Sequence, residues 1–252
     1  MVNELFIAKD IKDAVSYMKR GSTLLAGGTE INRLDSSVKA KSLVSIGRVE
    51  ELSKIAKISS ASLGKCISIG AMCTFQDVLE SALVPEYLKQ SCAFMSSRVK
   101  RNMATVGGNI ALRRDDSYLI ATLLACDAVL EIVSKSGKKT AVSCEDYVLK
   151  ADKYKDVLIY ALLIPSVCKN IAEKRYANTA SSHGYITMAV CKNKSDFKVG
   201  LCVKNSGIYV FNKLTDFAEV SLKDDMFGSK AYKKYLLGVT QEDLVKVLGG
   251  SK

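Results

Sequence analysis

The spacing of hydrophobic positions changes along this chain: some short segments have the spacing of a helix and others that of a strand. Apolar residues recur at helical spacing near the start, which predicts an amphipathic helix over about residues 10–20 that ends at Gly21. Short apolar runs at 23–26 and 42–46 each end at a glycine and predict strands. We therefore expect a small β-α-β-like unit, with the pair Gly27-Gly28 at the end of a strand.

The middle of the chain predicts alternating strands and helices. Thr74, with Asp77 three residues later, is typical of a helix N-cap, and Pro85 can begin the next helix. A strong apolar run is stopped by Pro165. The predicted strands are 67–71, 128–133 and 157–164, and the predicted helices are 75–83, 85–99 and 118–125.

The last third of the chain begins with a polar, irregular stretch at 166–174, which predicts a boundary between domains. Strands are predicted at 199–203 and 208–211. Two helices are predicted after them, near 229–237 and 241–248, the second with a capping start at Thr240.

Composition indicates a folded globular protein with a basic surface. The chain has 252 residues, 48% of them hydrophobic, and a formal net charge of +11. The basic residues are dispersed and are not interleaved with aromatic ones, which does not favour nucleic-acid binding. The densest basic run, at 135–139, is better interpreted as a solvated hairpin turn.

Cysteine spacing argues against a metal site and against a disulfide framework. The eight cysteines include no C-x-x-C pair, and His183 is the single histidine. We expect reduced, mostly buried thiols. The N-terminus lacks the features of a signal peptide, and the apolar stretch at 118–126 is too short to span a bilayer, so a cytoplasmic protein without membrane contact is expected.

Two loops that each contain adjacent glycines are the candidate functional feature, at 24–30 and 104–110. Adjacent glycines permit positive φ and let backbone N–H groups approach an anion, and Thr29 or Asn109 then offers a hydrogen-bonding side chain. A dinucleotide pyrophosphate is a ligand of this kind. Neither loop matches the Rossmann or P-loop signatures, and a single Gly-Gly is more often an ordinary turn or a helix C-cap.

These loops also carry a family resemblance. The sequences LLAGGTEI at 24–31, IGAMCT at 69–74 and RNMATVGGNI at 101–110 resemble, in this order, the motifs of the FAD-binding subunit of molybdenum hydroxylases such as xanthine dehydrogenase and carbon monoxide dehydrogenase. Further similarity lies at 123–128, at Ile164-Pro165 and at 232–237, so the resemblance spans essentially the whole chain.

The resemblance implies an α+β fold with two parts. An FAD-binding domain of the vanillyl-alcohol-oxidase/PCMH type would cover 1–168, with subdomains at about 1–53 and 54–168. A small α+β C-terminal domain would cover 169–252.

The resemblance also implies which residues bind FAD. The two loops would wrap the pyrophosphate and ribityl chain with main-chain donors, Thr74 would lie near the same pocket, and Ile159 would pack against the flavin. An acidic contact of the family falls on Tyr118 here, so Asp115 or Asp116 could substitute, and Lys174 or Arg175 could approach the ring. The predicted cofactor-binding residues are Leu25, Ala26, Gly27, Gly28, Thr29, Glu30, Thr74, Thr105, Gly107, Gly108, Asn109, Asp116 and Ile159.

The implied function is that of an FAD-dependent oxidoreductase subunit in a hetero-oligomer. Electrons would come from 2Fe-2S clusters on a small partner chain, and a large molybdopterin subunit would oxidise the substrate. FAD would pass the electrons to NAD or another acceptor. This chain would have no catalytic side chain and no metal ligand. The alternatives are a non-enzymatic partner or assembly protein of the same fold and a nucleic-acid-binding module.

Overall fold

A three-stranded parallel sheet and one helix form the N-terminal part of the chain. The computed structural model describes residues 2–33, 36, 39–61, 63–168 and 170–249. The first elements are β1 (Glu4–Ile7), α1 (Ile11–Lys19), β2 (Thr23–Leu25) and β3 (Ser42–Ser45). β3 lies between β1 and β2 and pairs with both in parallel. The predicted helix and both predicted strands are confirmed.

The amphipathic pattern of α1 explains how it packs. Asp10 caps the helix by accepting a hydrogen bond from the Asp13 N–H at 2.8 Å. Ala14, Val15 and Met18 are buried on one face, where they join the same hydrophobic cluster as Val44 of β3. Helix α1 therefore covers one face of the sheet. The first glycine loop follows the end of β2.

A five-stranded antiparallel sheet forms the second part, in the spatial order β4-β5-β8-β6-β7. Its strands are β4 (Ile55–Ser60), β5 (Gly64–Gly70), β6 (Val129–Val133), β7 (Lys139–Ser143) and β8 (Leu158–Pro165). The accompanying helices are α2 (Phe75–Glu80), α3 (Glu86–Ala93), α4 (Arg98–Arg101), α5 (Val106–Ala111), α6 (Ile120–Ala125) and α7 (Cys144–Leu149). The capping box predicted at Thr74 is confirmed, because its side chain and that of Asp77 bond each other's backbone N–H groups.

The helix predicted over 85–99 is two helices. α3 ends at Ala93, and α4 begins after Ser97, whose hydroxyl caps it by accepting from the Lys100 N–H. The apolar periodicity continues across the break, because residues between the helices still pack on the core, including Phe94 and Met95. Periodicity alone therefore could not locate the interruption.

A four-stranded antiparallel sheet and a long helix form the C-terminal part. The strands are β9 (Ile171–Tyr176), β10 (Ile186–Asn193), β11 (Asp196–Val203) and β12 (Gly207–Phe211), in the spatial order β12-β11-β10-β9. The prediction of an irregular stretch to residue 174 is wrong in its second half, because β9 pairs with β10 along its whole length. Helix α8 (Lys230–Val247) completes the chain.

The two predicted C-terminal helices are one. Thr240 does not cap a second helix: it is fully buried, and its hydroxyl is 2.8 Å from the Tyr176 hydroxyl. Gln241 bonds the backbone of Thr215 instead of the helix. The polar residues that look like a cap in the sequence are used for tertiary contacts.

Helix α6 joins the second and third parts. All of its residues are buried, because it is packed by the C-terminal sheet as well as by its own domain. Gly200 of β11 lies so close to this helix that an added Cβ would overlap the Ala121 carbonyl. The FAD-binding part implied by the resemblance and the C-terminal sheet therefore share one packed interface. The domain boundaries themselves stay a prediction.

Glu173 lies in this interface, buried among α3, α6 and β9. Its Oε2 accepts hydrogen bonds from the Ser91 hydroxyl, at 2.6 Å, and from the Thr122 hydroxyl, while Oε1 has no partner among the described residues. Burial raises the pKa of this carboxyl to about 7, against the two hydrogen bonds that lower it.

We expect Glu173→Gln to remove a loss of stability at high pH. The folded-state pKa lies above the unfolded one, so the folded protein binds more protons between about pH 4.5 and 7, and stability falls as pH rises through that window. The difference amounts to roughly 3 kcal/mol at pH 8. Urea unfolding at pH 5 and pH 8 measures the free energy of unfolding of both proteins. The wild type should lose stability through Glu173 between these pH values, and the variant should lack this loss. Equal pH dependence in both would contradict the assignment.

Among the described residues, no helix combines the length and the apolarity needed to cross a membrane.

Candidate functional site

A cavity of about 1030 Å³ opens between the N-terminal sheet, the helices of the second part and a segment of the C-terminal part. This volume is at the upper end of what ligand pockets in proteins have. Its walls include the first glycine loop, the start of α5, Tyr147 and Tyr154, and His183. The two glycine loops thus lie on one cavity, as the sequence analysis predicts.

The first glycine loop lines the cavity and contains unpaired backbone donors. It leaves β2 at Leu25, and Gly28 has φ +71°, a conformation that favours glycine. Within the part of the chain that the structure describes, the N–H groups of residues 27–31 have no acceptor. Residues 26–33 line the cavity. Consecutive free N–H groups in a turn form a concave site for an anion.

The second glycine loop differs from the prediction of a tight turn with free donors. Gly107 and Gly108 are in the first turn of α5 and do not have positive φ. The Gly107 N–H donates to the Ala71 carbonyl at 2.8 Å, and the Gly108 N–H donates to the Thr105 hydroxyl at 3.1 Å. Val106 and Asn109 also spend their N–H groups inside the protein. The main chain here is a support and not a second set of donors.

Close packing explains why glycine is needed in both segments. An added Cβ at Gly27 would overlap the Met103 carbonyl, and one at Gly107 would lie 2.6 Å from the Ala71 Cβ. Thr74 and Thr105 form an antiparallel bridge beneath them. Close backbone contact at Gly27 therefore fixes the position of the first loop against the segment that precedes α5.

An ion-pair cluster joins the first loop to the segment that follows α5 on the cavity wall. Asp116 is 2% exposed and accepts two hydrogen bonds from Arg114, at 2.7 and 2.8 Å. Arg114 also donates to Glu30 of the first loop at 2.9 Å. Burial alone would raise the pKa of Asp116, but the bonds from Arg114 and the nearby cations lower it below its usual value. Both Asp116 oxygens are therefore occupied by the protein.

The C-terminal part contributes to the same cluster. Lys204 Nζ lies 3.5 Å from Asp116 Oδ2, and His183 Nδ1 lies 3.8 Å from it. Asp115 accepts a hydrogen bond from the Asn205 N–H at 2.9 Å. Burial lowers the pKa of His183, so its imidazole is neutral at pH 7. The cavity is thus closed on this side by residues from all three parts of the chain.

Another part of the cavity wall is aromatic and basic. The rings of Tyr147 and Tyr154 lie 5.8 Å apart, and the Arg113 guanidinium lies 4.0 Å from the centre of the Tyr147 ring. Arg113 also donates to the carbonyls of Ala151 and Tyr154. Aromatic faces next to a cation suit a planar, polar ring system.

Most of the predicted site residues line this cavity, but four do not. Ile159 is 5% exposed and packs in the central core on β8, while Val157, two residues earlier, is on the wall. Leu25 belongs to β2, and Thr74 and Gly107 support the wall from behind. The predicted residues on the wall are Ala26, Gly27, Gly28, Thr29, Glu30, Thr105, Gly108, Asn109 and Asp116.

Strand alternation separates the two basic residues predicted near the ring. Lys174 pairs with Asp243 of α8 at 3.2 Å, on the far side of the sheet. Arg175 instead lies 5.4 Å from the ring of Tyr118, which lines the cavity, and donates to the Ser182 carbonyl. Of the two, Arg175 is the one beside the site, although it does not line the wall itself.

Several wall residues were not predicted, including Arg114, Tyr147, Tyr154 and His183. His183 had one available signal, since it is the single histidine. The others come from segments whose sequence shows only ordinary helix and turn patterns. Among the described residues there is no group of His, Cys, Asp or Glu that could hold a metal ion.

The chain is similar in sequence to known proteins. Residues 2–167 match the family model described as the FAD binding domain in molybdopterin dehydrogenase. The uncharacterised protein YgfM of Escherichia coli K12 is 26% identical over 263 aligned positions, which cover 97% of this chain and 95% of that protein. The xanthine dehydrogenase FAD-binding subunit of Escherichia coli O157:H7 is 31% identical over 137 positions, covering 52% of this chain and 46% of that subunit.

Solved structures share the fold of the whole chain. A chain of the carbon monoxide dehydrogenase from Hydrogenophaga pseudoflava superimposes with a TM-score of 0.83 at 18% identity, covering 98% of this chain and 96% of that one. A chain of quinoline 2-oxidoreductase from Pseudomonas putida 86 gives a TM-score of 0.82 at 18% identity, covering 99% and 98%.

The chain belongs to the family of FAD-binding domains of molybdopterin dehydrogenases. Its cofactor is FAD, and its fold is the α+β fold of that family. The site fits this cofactor, because the free N–H groups of residues 27–31 match a pyrophosphate, and the same cavity of about 1030 Å³ is also lined by Tyr147 and Tyr154.

Proposed function

We propose that this chain is the FAD-carrying electron-transfer subunit of a multi-chain molybdenum hydroxylase. It would receive electrons from iron–sulfur clusters on a small partner chain and pass them to NAD or another acceptor, while a large molybdopterin subunit oxidises the substrate. The observation that carries the proposal is the row of unpaired N–H groups in the first glycine loop, which lies on a cavity large enough for a dinucleotide.

The proposed FAD contacts follow from the cavity. The first loop would hold the phosphates, and Thr29 and Asn109 would add side-chain hydrogen bonds. Asn109 is held in place because its Oδ1 accepts from the Ser117 hydroxyl at 2.7 Å, which leaves the amide nitrogen for a ligand. The Asp116–Arg114–Glu30 cluster would orient the first loop without touching the phosphates, because its charges are already paired.

Bound FAD would supply the redox chemistry, since it can take up single electrons and release a pair. The residues of this chain would bind it, orient it and exclude water from its phosphates. None of these roles requires a side chain that acts as an acid or base on a substrate. The function therefore depends on the neighbours of this chain, and the formal charge of +11 suits docking to acidic partner surfaces.

A non-enzymatic partner or assembly protein of the same fold is not favoured. Such a protein would have no use for the free N–H groups of residues 27–31, whose lack of partners is costly when no ligand or water replaces them. Nucleic-acid binding has no support from the cavity, whose carboxylates Glu30 and Asp116 lie on the wall.

We expect the isolated chain to carry electrons but not to hydroxylate. The purified chain, loaded with FAD and reduced chemically under anaerobic conditions, should reduce a dye such as dichlorophenolindophenol, because two electrons and two protons move from the reduced flavin to the dye. The same preparation should not oxidise purines or other heterocycles. Hydroxylation by the isolated chain would contradict the relay function, and absence of stoichiometric flavin after reconstitution would contradict FAD binding.

A further inference from the structure

Two cysteines meet where the second part of the chain joins the C-terminal sheet. Cys168 follows the end of β8, and Cys191 is in β10. Their Sγ atoms lie 2.9 Å apart, and both are free thiols. This is about 0.9 Å more than the length of a disulfide bond, so little movement separates the two thiols from a cross-link.

The pair differs in its surroundings from the other cysteines. Cys168 is partly exposed, whereas the remaining seven cysteines are buried. The hydrogen bond from Cys168 lowers the pKa of Cys191, against the effect of burial. Burial raises the pKa of the six cysteines outside the pair, which makes them unreactive.

The Cys168 backbone is also held in place. The Tyr87 hydroxyl donates to the Cys168 carbonyl oxygen at 3.2 Å, and Cys191 is in register opposite Ile171 of β9. Both sulfurs are therefore carried by ordered backbone on each side of the junction. Two sulfurs at this separation, one of them on a partly exposed cysteine, are placed to form a disulfide.

We propose that Cys168 and Cys191 are a reversible redox modification site, which hydrogen peroxide converts into an intramolecular disulfide. The Cys191 sulfur, whose thiolate the hydrogen bond from Cys168 stabilises, attacks one peroxide oxygen: an S–O bond forms, the O–O bond breaks, and the departing oxygen takes up the thiol proton and leaves as one water. The Cys168 sulfur then displaces the hydroxyl from Cys191 as a second water, and the S–S bond forms. Two thiols and one peroxide thus give one disulfide and two waters.

The cross-link would act on a segment that borders the FAD cavity. The chain between the two cysteines contains β9 and the stretch that carries Arg175 and His183. A disulfide closing this loop restricts the unfolded chain, which stabilises the folded protein. We expect the melting temperature of the oxidised chain to rise by roughly 5 °C. This proposal does not depend on the proposed function.

The test uses the full chain, treated with hydrogen peroxide and then alkylated in denaturant without reductant. We expect the eight alkylatable thiols to fall by the pair, a peptide pair joined through Cys168 and Cys191, and complete reversal by dithiothreitol. Cys168→Ser should abolish the link. Cys202→Ser, a buried cysteine on the neighbouring strand β11, is the matched control and should leave the link intact.

Three results would overturn the proposal: eight alkylatable thiols after treatment, a disulfide that joins other cysteines, or oxidation that ends at the sulfinic acid of Cys191. Each can be read in the wild-type chain, so the conclusion does not depend on whether the variants fold.

Discussion

Gly28→Asp is expected to lower the affinity for FAD at least about 100-fold while the chain still folds. The new carboxylate would lie among the free N–H groups of the first loop, where a phosphate is proposed to bind. Two like charges about 4 Å apart near a protein surface repel each other by about 4 kcal/mol, which is more than a factor of 100 in affinity. Flavin fluorescence titration of the chain freed of cofactor measures the change.

Gly64→Asp is the matched control for this variant. Gly64 has φ +64°, close to the +71° of Gly28, but an added Cβ there meets nothing within 4 Å and the residue begins β5, away from the cavity. In both variants, a residue with a side chain in the left-handed region therefore destabilises the fold by roughly 1 kcal/mol. Equal loss of FAD affinity in the two variants would show that strain, and not charge at the loop, is responsible.

The sequence predicts the local elements and the position of the first loop well, because these depend on short-range patterns. The apolar run before Gly27 and the spacing of Ala14, Val15 and Met18 are enough for β2 and α1. The resemblance supplies the family and the cofactor, and both are confirmed. The strands β1, β4 and β10 were not predicted, and β10 was missed although it is a nearly continuous apolar run.

The two glycine pairs show why identical local sequences can have different roles. Position 28 favours glycine because its φ is positive. Position 107 requires glycine because a Cβ there would collide with Ala71. The sequence cannot separate these cases, since the neighbour lies more than thirty residues away. The N–H groups of the second loop were predicted to bind the cofactor, but Thr105, Cys73 and other protein groups already accept from them.

The ion-pair cluster escaped prediction for the same reason. Glu30 and Lys204 are distant in sequence from Arg114 and Asp116, and only the folded structure brings Glu30 to Arg114 and Lys204 to Asp116. Asp116 is predicted to bind the cofactor because it is close to Tyr118, which has the acidic position of the family. The structure gives both its oxygens protein partners, so we propose that it positions the cavity wall instead.

Asp116→Asn is accordingly expected to destabilise the fold by about 3 kcal/mol at pH 7. The amide has one acceptor oxygen and a nitrogen that only donates, so one of the two Arg114 donors loses its acceptor, and the loss of charge leaves Arg114 and Lys204 beside a buried group that no longer balances them. Asp115→Asn is the matched neighbour: burial raises the pKa of Asp115, and an amide oxygen can still accept from the Asn205 N–H, so we expect a change within about 1 kcal/mol.

The difference in the free energy of unfolding between wild type and Asp116→Asn should depend on pH if Asp116 stabilises the fold through its charge, and not if it acts through packing alone. The pKa of Asp116 is lowered in the folded state, so its stabilisation is present above the unfolded value of about 3.9 and is lost as pH falls through the folded value. Urea unfolding at pH 7, 5 and 3 should therefore show the gap between wild type and Asp116→Asn narrowing towards acid pH. A gap that stays constant with pH would mean that Asp116 acts through its shape and not through its charge.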